Sequence, residues 1–553
     1  MQKDNNTEKK YLLGFIDKKN LPHLIISLVL FLVIAVISFF DVASNKTVLS
    51  YSISEYEIGQ IADKTIIAEK TLLSTPENPT SVEKGEKVTR KGFPITQLDY
   101  DKLVKMAETP GYIDYRSFAD NLLFFIILLG VSAFLFSKSF LGKNIKIKDT
   151  VFIAVLFALV YAVAIFCQRI PSFEDAFNIS VIIPSSLCVM LIAVLVGQKE
   201  AVCFTLLSSM SILQAAAFEV APALFALATG LGASRIVRKM DKRIDFIFAA
   251  FILSILNIAF SILTRLIFNA SEIFNFAVVL GLLINGIVSG VFALGLLTPL
   301  ESLMNTASVF RLMDLSDVNN SIMRKLLLEA SGTYNHSMMV ATLSETACAE
   351  IGANPLLARV ASYYHDIGKM EQPEYFTENQ SDGVNPLVEL NPSLSVSVIR
   401  RHVKKGVEKV TQMHFPKEVI DIIDQHHGTS IIQYFYNKAL EENPNVSPEE
   451  YSYIGTKPQT REAAVVMLAD TVEAACHSLK KPTAQSIEKF VHTLINAKYE
   501  SGQLNNAQLT FLDLEKIENT FVPILTGYYH SRIAYPNQKE ADEAEQKKGA
   551  ENE

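Results

Sequence analysis

The stretch YYHDIGKMEQPEYFTENQ, which begins at Tyr363, places His365 directly before Asp366 and puts Lys369 one helical turn later. Imidazole, carboxylate and ammonium groups are costly to bury unless each finds a partner. Histidine and aspartate are also side chains that bind divalent metals. The stretch is therefore the first candidate for a binding site.

A further acidic residue stands in an apolar setting. The segment REAAVVMLADTVEAACHSL places Asp470 on the same helical face as Ala463, Val466, Met467 and Ala474. A carboxylate directed into an apolar face must pair with a charge or a metal. Taken alone, Asp470 could instead cap a neighbouring helix or pair with an arginine.

Histidines are concentrated in the same half of the chain, which holds nine of the ten. His336 lies in SGTYNHSMMV, His402 lies in RRHVKKG, and His426 and His427 end a predicted helix that Gly428 stops. Each alone has an ordinary interpretation, such as a solvated helix end. Together with the carboxylates they suit iron, manganese or zinc, and the absence of cysteine among them disfavours a structural zinc site.

Composition separates the chain into two parts. The 553 residues are 49% hydrophobic, with a mean hydropathy of +0.24, and the apolar excess lies between residues 21 and 299. The net charge is −8, and no basic block is long enough to form a surface for duplex nucleic acid. The five cysteines show no CxxC spacing, which argues against a disulfide framework.

The apolar sequence between residues 21 and 299 predicts eight helices that span a lipid bilayer. They are 21–40, 119–137, 150–168, 178–197, 201–217, 220–236, 245–267 and 275–299. Lysine and arginine clusters before the first span, after the second and after the sixth all fall on one face, which is then cytoplasmic. We expect a multi-pass protein of the cell membrane with both termini in the cytoplasm. Charged residues are scarce in the span interiors, which disfavours a transporter.

The chain divides into seven predicted segments. We expect a cytoplasmic N-terminus at 1–20, a first membrane helix at 21–40, an extracytoplasmic region at 41–118, a seven-helix membrane block at 119–299, a linker helix at 300–330, a cytoplasmic all-helical domain at 331–535 and a disordered tail at 536–553. The extracytoplasmic region mixes strand-like segments with turns and is short for burying a core. The predicted fold class is all-α.

His336, His365 with Asp366, and Asp470 match the H…HD…D signature of the HD-domain phosphohydrolases. Three longer segments are more specific: SGTYNHSMMVATLSETACAEIGANPLLARVASYYHDIGKMEQPEYFTENQ, DQHHGTSIIQYFY and PQTREAAVVMLADTVEAA. They resemble the seven-transmembrane HD receptor family over residues 119–535, and characterised members of that family hydrolyse cyclic di-AMP.

The resemblance implies a membrane-anchored phosphodiesterase that converts cyclic di-AMP to linear pApA. It implies two divalent metal ions, iron or manganese. One would bind the side chains of His336, His365, Asp366 and Asp470. The other would share Asp366 and bind His402, His426 and His427. His365 and Asp366 would thus act catalytically as the hinge of the centre, and Lys369 would supply a cation to the phosphate. Lys369 could equally be a helix-terminal lysine exposed to water.

Three features depart from the family pattern. The usual NPHD word reads Asn385-Pro386-Leu387-Val388, so any role of its histidine and aspartate in binding substrate is absent. His477 stands where an arginine is usual, and the extracytoplasmic region lacks the long middle of the family's domain. None of these departures touches a predicted metal ligand.

Other functions stay open. Cyclic di-GMP is a rival substrate, although the Gly-Tyr-Pro word of the enzymes that cleave it is missing after the paired histidines. The bare HD signature would also allow hydrolysis of nucleoside triphosphates or guanosine tetraphosphate. A different class is a non-catalytic receptor that binds a nucleotide and reports it. The sequence leaves assembly into a homo-oligomer open.

Overall fold

The computed structural model describes residues 20–42, 53–109 apart from 69 and 77, 115–168, 181–268 apart from 239 and 241, 274–380, 385–477, 479 and 483–529. It divides into two compact units, Met1–Leu297 and Thr298–Glu553. Residues 1–19 of the predicted N-terminus and the predicted tail at 536–553 lie outside the described residues.

Long apolar helices dominate the first unit. Its helices are α1 (Leu21–Val42), α2 (Gln97–Glu108), α3 (Tyr115–Leu135), α4 (Lys138–Leu141), α5 (Ile147–Gln168), α6 (Ser185–Leu195), α7 (Gln198–Ala215), α8 (Val220–Val237), α9 (Asp245–Ile267) and α10 (Phe276–Met304), which runs on into the second unit. Within the described residues, six of these are long and apolar enough to cross a bilayer: α1, α3, α5, α8, α9 and α10. The chain is therefore a membrane protein, as the apolar runs predict.

The six helices are fewer than the eight predicted spans. The predicted spans at 178–197 and 201–217 correspond to α6 and α7, although 178–180 lie outside the described residues. Helix α6 has 11 residues, which is too short to span the hydrocarbon core alone. Helix α7 is less apolar because it carries polar residues inside the helical block; there, for example, Gln214 Oε1 accepts a 2.8 Å hydrogen bond from the Tyr161 hydroxyl.

The segment between α1 and α3 forms a small unit with a core of its own, where the sequence predicts little burial. Strand β1 (Ile66–Ile67) pairs antiparallel with β2 (Lys87–Thr89), and bridges at Ile61 and Leu72 extend the ladder. Helix α2 begins with a capping box at Thr96 and packs Leu103 and Met106 against the ladder. Short strands suffice because the helix covers one face and excludes water from it.

The second unit is helical. Its helices are α11 (Val309–Leu315), α12 (Ser321–Glu329), α13 (Ser331–Glu350), α14 (Pro355–Tyr364), α15 (Pro392–Gln412), α16 (Lys417–Gln425), α17 (Gln433–Glu442), α18 (Arg461–His477), α19 (Ala484–Glu500) and α20 (Phe511–Tyr529). Short 3-10 helices at Ile367–Glu371, Pro373–Tyr375, Thr377–Asn379, Pro386–Val388 and Pro448–Tyr451 fill the connections. Helix α18 lies in the core, where residues 463–470 are all buried. The predicted all-α class, a membrane block followed by a helical domain, is confirmed.

The segment predicted as one linker helix at 300–330 is not a single helix. Helix α10 continues to Met304, and α11 and α12 follow as separate short helices. Helix α11 ends at Leu315, and Asn320 starts α12, because its side chain accepts hydrogen bonds from the backbone amides of Ile322 and Met323. Leu312 and Leu326 are fully buried in the core of the second unit. The linker is therefore part of the helical domain.

Candidate metal centre

Five segments of the second unit carry the predicted site residues. His336 lies within α13, His402 within α15 and Asp470 within α18. His365 and Asp366 directly follow α14 and precede the 3-10 helix that carries Lys369, while His426 and His427 directly follow α16. Two helix ends and the interiors of three helices thus supply the site, and the rigid helices fix the direction of each side chain.

Two glycines shape the approach of these segments. Gly368 packs directly on α15: a Cβ atom there would lie 1.9 Å from the carbonyl oxygen of His402. Gly428 has a φ of +53°, so the chain turns sharply after His427. Only glycine allows both features without strain, and both position histidines of the site.

The structure brings the seven predicted side chains into two groups that share Asp366. The first group is His336, His365, Asp366 and Asp470, and the second is Asp366, His402, His426 and His427. In each group one ligand atom from every residue lies within 4.8 Å of the others. This is the spacing at which a metal ion could be held.

Asp366 directs one carboxylate oxygen toward each group. Its Oδ2 lies 3.2 Å from His365 Nε2 and 3.6 Å from His336 Nε2. Its Oδ1 lies 3.3 Å from His402 Nε2 and 3.8 Å from His426 Nε2. The carboxylate therefore stands between the two groups as a bridge.

Three of the imidazoles are held in one orientation by the backbone. Nδ1 of His365, His402 and His426 lies 2.7, 2.6 and 2.7 Å from the carbonyl oxygen three residues earlier. A carbonyl oxygen can only accept, so Nδ1 carries a proton and Nε2 faces Asp366. This arrangement, in which the outer nitrogen is fixed by a hydrogen bond, is typical of metal-binding histidines.

The inward-facing atoms of these residues are buried without partners. Within the described residues, Nε2 of His365, His402 and His426 and Oδ1 of Asp366 make no hydrogen bond. Orphaned buried acceptors are costly. Cations held in the two groups would together satisfy all four atoms, so this set of imidazole nitrogens and carboxylate oxygens fits metal ions.

Glu473 is a site residue that sequence reasoning missed. His336 Nδ1 donates a hydrogen bond to Glu473 Oε2, and the Tyr529 hydroxyl donates to Glu473 Oε1 at 3.3 Å. Glu473 is buried and orients His336 as the backbone carbonyls orient the other rings. The signal was present in the sequence, because Glu473 lies three residues after Asp470 and so on the same helical face.

Lys369 is not the solvent-exposed lysine that was one of its two interpretations. Its side chain is 13% exposed, and Nζ lies 2.8 Å from Asp366 Oδ2 and 2.7 Å from Glu378 Oε1. The ring of Phe376 covers it, with Nζ 4.9 Å from the ring centroid. Burial acts to lower the pKa of Lys369, but the charges of Asp366 and Glu378 raise it, so the side chain stays cationic beside the bridge.

In the first group, neighbouring carboxylates raise the pKa of the two imidazoles. Burial acts to lower the pKa of His336, but hydrogen bonds to Asp470 and Glu473 raise it to about 9. Burial opposes the charging of His365 in the same way, and the charge of Asp366 raises that pKa to about 10.

In the second group, burial acts on the paired imidazoles. Burial and the charge of His365 lower the pKa of His426 to about 3, and burial with His426 lowers the pKa of His427. The pKa of Asp366 and Asp470 lies well below the usual value despite burial, because the surrounding imidazoles favour the charged forms. The centre is thus a buried pair of carboxylates that requires cations.

The residues that depart from the family pattern lie away from this cluster. His477 is exposed at the end of α18. Leu387 is buried in a small core with Phe435 and Tyr451, while Val388 is exposed. The apolar pair therefore packs and offers no ligand atom.

Comparisons with known proteins place this geometry in a family. The family model described as HD domain matches residues 333–475, and the model described as 7TM receptor with intracellular HD hydrolase matches residues 118–308. The cyclic-di-AMP phosphodiesterase PgpH of Listeria monocytogenes is 31% identical over 505 residues, which cover 90% of this chain and 69% of that protein. The chain belongs to the seven-transmembrane HD family.

A second relative and a solved domain are also similar to this chain. The cyclic-di-AMP phosphodiesterase PgpH of Bacillus subtilis is 32% identical over 521 residues, which cover 90% of this chain and 72% of that protein. The solved HD domain of L. monocytogenes PgpH in complex with cyclic-di-AMP is 44% identical, with a TM-score of 0.38, and covers 38% of this chain and 99% of its own.

Proposed function

We propose that this membrane protein is a dimetal phosphodiesterase that hydrolyses cyclic di-AMP to linear pApA. The observation that carries the proposal is the pair of ligand groups joined by Asp366. The substrate is inferred from the two PgpH relatives, which are cyclic-di-AMP phosphodiesterases and align over 90% of this chain.

The proposed ligands are the seven side chains of the two groups, and the proposed metals are iron or manganese. When bound, the two ions would supply Lewis-acid stabilisation of the phosphodiester charge and an acidified water. The chain's own part is to hold these ions rigidly: backbone carbonyls fix three imidazoles, Glu473 fixes His336, and Asp366 holds the two groups together.

Lys369 places a further positive charge beside the bridge. Its ammonium contacts Asp366 and is anchored by Glu378, so it is kept in position before substrate arrives. Phosphoryl transfer depends mainly on positioning and on electrostatic stabilisation of the phosphate oxygens. We propose that Lys369 contributes to that stabilisation. Lys369 lies beside the buried metal ligands, away from bulk water, which strengthens its interactions with charged groups.

The proposed membrane topology is based on the positive-inside rule. Basic clusters flanking the membrane helices favour a cytoplasmic location for both termini, and hence for the helical domain. Cyclic dinucleotides made inside the cell would then reach the centre directly. Reporter fusions at each terminus test this placement: activity of a reporter that functions only outside the cytoplasm would contradict it.

The test of the proposed function is a comparison of substrates with the full chain in detergent micelles, loaded with Mn²⁺ or Fe²⁺. We expect cyclic di-AMP to be converted to pApA, identified by liquid chromatography and mass spectrometry. Faster turnover of cyclic di-GMP, GTP or guanosine tetraphosphate would reject the substrate assignment. Metal-loaded protein that binds cyclic di-AMP without cleaving it would favour a non-catalytic receptor.

A further inference from the structure

The side chains of the metal centre differ in their exposed fraction. Side chains of His365, Asp366, His402 and His426 are at most 2% exposed. His427, His336 and Asp470 are 19%, 9% and 8% exposed. His427 is the most exposed of these side chains, so we take the side of the centre at His427 as open to a substrate.

Tyr453 borders this open side. Its ring stacks on the ring of His427, with centroids 4.1 Å apart and an interplanar angle of 25°. Within the described residues its hydroxyl makes no hydrogen bond, although its own backbone amide donates to Ser430 O at 2.9 Å. Burial raises the pKa of Tyr453, so the phenol stays protonated and can donate a hydrogen bond.

Lys498, from α19, lies on the same border. Its Nζ donates a 2.7 Å hydrogen bond to Ser430 Oγ, three residues after His427. Within the described residues no carboxylate lies at ion-pair distance from this ammonium. Burial lowers the pKa of Lys498, and the charge of Asp470 acts on it in the opposite direction. Lys498 thus brings a half-buried amine, without a carboxylate partner among the described residues, to the segment that follows His427.

Two other lysines near the centre are already paired with carboxylates. Lys369 is paired with Asp366 and Glu378. Lys405 lies 3.1 Å from Glu408 and 3.9 Å from Glu371. Lys498, by contrast, has no carboxylate at ion-pair distance within the described residues and lies beside Ser430.

A cyclic dinucleotide carries two phosphodiester groups, and a metal centre engages one of them. The second remains a full negative charge that must be desolvated close to Asp470, so it needs a protein cation of its own. We propose that Lys498, Ser430 and Tyr453 form an anion subsite that binds the phosphodiester that is not cleaved. Lys498 supplies the charge, and the Ser430 and Tyr453 hydroxyls supply directional donors. This inference rests on the proposed function.

The experiment compares two substrates on the metal-loaded full chain: cyclic di-AMP, with two phosphodiesters, and bis(4-nitrophenyl) phosphate, with one. The variant Lys498→Gln keeps a donor for Ser430 but removes the charge. We expect its kcat/KM for cyclic di-AMP to fall about tenfold to a hundredfold, the range of one charged hydrogen bond. Turnover of the single phosphodiester and metal content should stay within about twofold of wild type, since the metal ligands are untouched.

Two further variants sharpen the test. Tyr453→Phe keeps the stacking on His427 and removes only the hydroxyl, so it should give a smaller loss with the same substrate selectivity. Lys489→Gln is the matched control, because Lys489 is exposed on the same helix, and it should behave as wild type with both substrates.

Three results would overturn the subsite. Equal losses on both substrates would show that Lys498 only supports the metal centre. Unchanged kcat/KM on cyclic di-AMP would show that the second phosphate is not bound there. A loss selective for cyclic di-AMP in Arg401→Gln, which lines a pocket with His402, with Lys498→Gln unaffected, would place the subsite at Arg401 instead. Failure of wild type to cleave cyclic di-AMP while it cleaves the single phosphodiester would instead reject the proposed function.

Discussion

Gly368 gives the sharpest test of how the centre is held together. It lies in the 3-10 helix after Asp366, packed against the backbone of α15. In Gly368→Ala the new Cβ would lie 1.9 Å from His402 O and 2.6 Å from Gly406 N. Both contacts are with backbone atoms, so no side-chain rotation can relieve them.

The size of the effect follows from these distances. Cβ atoms do not approach backbone atoms closer than 3.0 Å, so α15 must move by about 1 Å at His402. A displacement of that size at a reacting centre costs on the order of a hundredfold in rate. Overpacking also lowers the free energy of unfolding, by about 1–3 kcal/mol. We expect Gly368→Ala to lose metal from the group containing His402 and to lose about a hundredfold in turnover.

Gly406→Ala is the matched control. Gly406 faces Gly368 across the same contact, yet a Cβ on Gly406 would lie 3.5 Å from its nearest neighbour, an ordinary contact. Alanine inside a helix also favours folding over glycine by about 0.5–1 kcal/mol. The assays are metal content by mass spectrometry, thermal unfolding and pApA production. Gly368→Ala with wild-type metal content and turnover would refute the reasoning.

Three further predictions follow from the site and its supports. Glu473→Gln should weaken metal binding by about 10- to 100-fold, measured by competition with a chelator, because it removes the charge that orients His336; unchanged affinity would mean that Glu473 has no such role. Metal binding at pH 7 should release protons, since His336 and His365 have pKa values of about 9 and 10 without metal and must lose their extra protons to bind it; the release should vanish as pH rises above about 10. Calorimetry in buffers of different ionisation enthalpy measures it, and heats independent of buffer would contradict it. Arg311→Gln should lower the free energy of unfolding by about 1–3 kcal/mol without changing metal content, because Arg311 donates to the carbonyls of Glu301 and His414; an unchanged melting temperature would argue against that connection.

The helical class and the juxtaposition of the site residues could be predicted because both depend on local pattern. Apolar runs of about twenty residues predict membrane helices directly. Asp470 within an apolar helical face signals a charge that needs a partner, and the HD words link it to His336 and Asp366 through family resemblance. The ligand atoms of His336, Asp366 and Asp470 lie within 4.8 Å of one another, and we propose that they bind a metal.

The parts that could not be predicted depend on contacts between distant segments. Nothing in the sequence near Lys369 reveals that Glu378 anchors it, or that Tyr453 stacks on His427. Helices α6 and α7 are shorter or less apolar than the other predicted spans, because helices buried among other helices need neither the length nor the apolar surface of a lipid-facing helix. The predicted linker helix shows a third limit: it is interrupted at 305–308 and again at 316–320, where Asn320 caps the start of α12.

The central claim is that one carboxylate, Asp366, joins two cation sites that cleave a phosphodiester. The most direct measurement is the amount of metal per chain, together with the rate of pApA formation, in Asp366→Asn and wild type. The account predicts that wild type holds two metals and that the variant loses them, with a rate at least about a hundredfold lower. A variant that keeps both metals and cleaves cyclic di-AMP at the wild-type rate would contradict it.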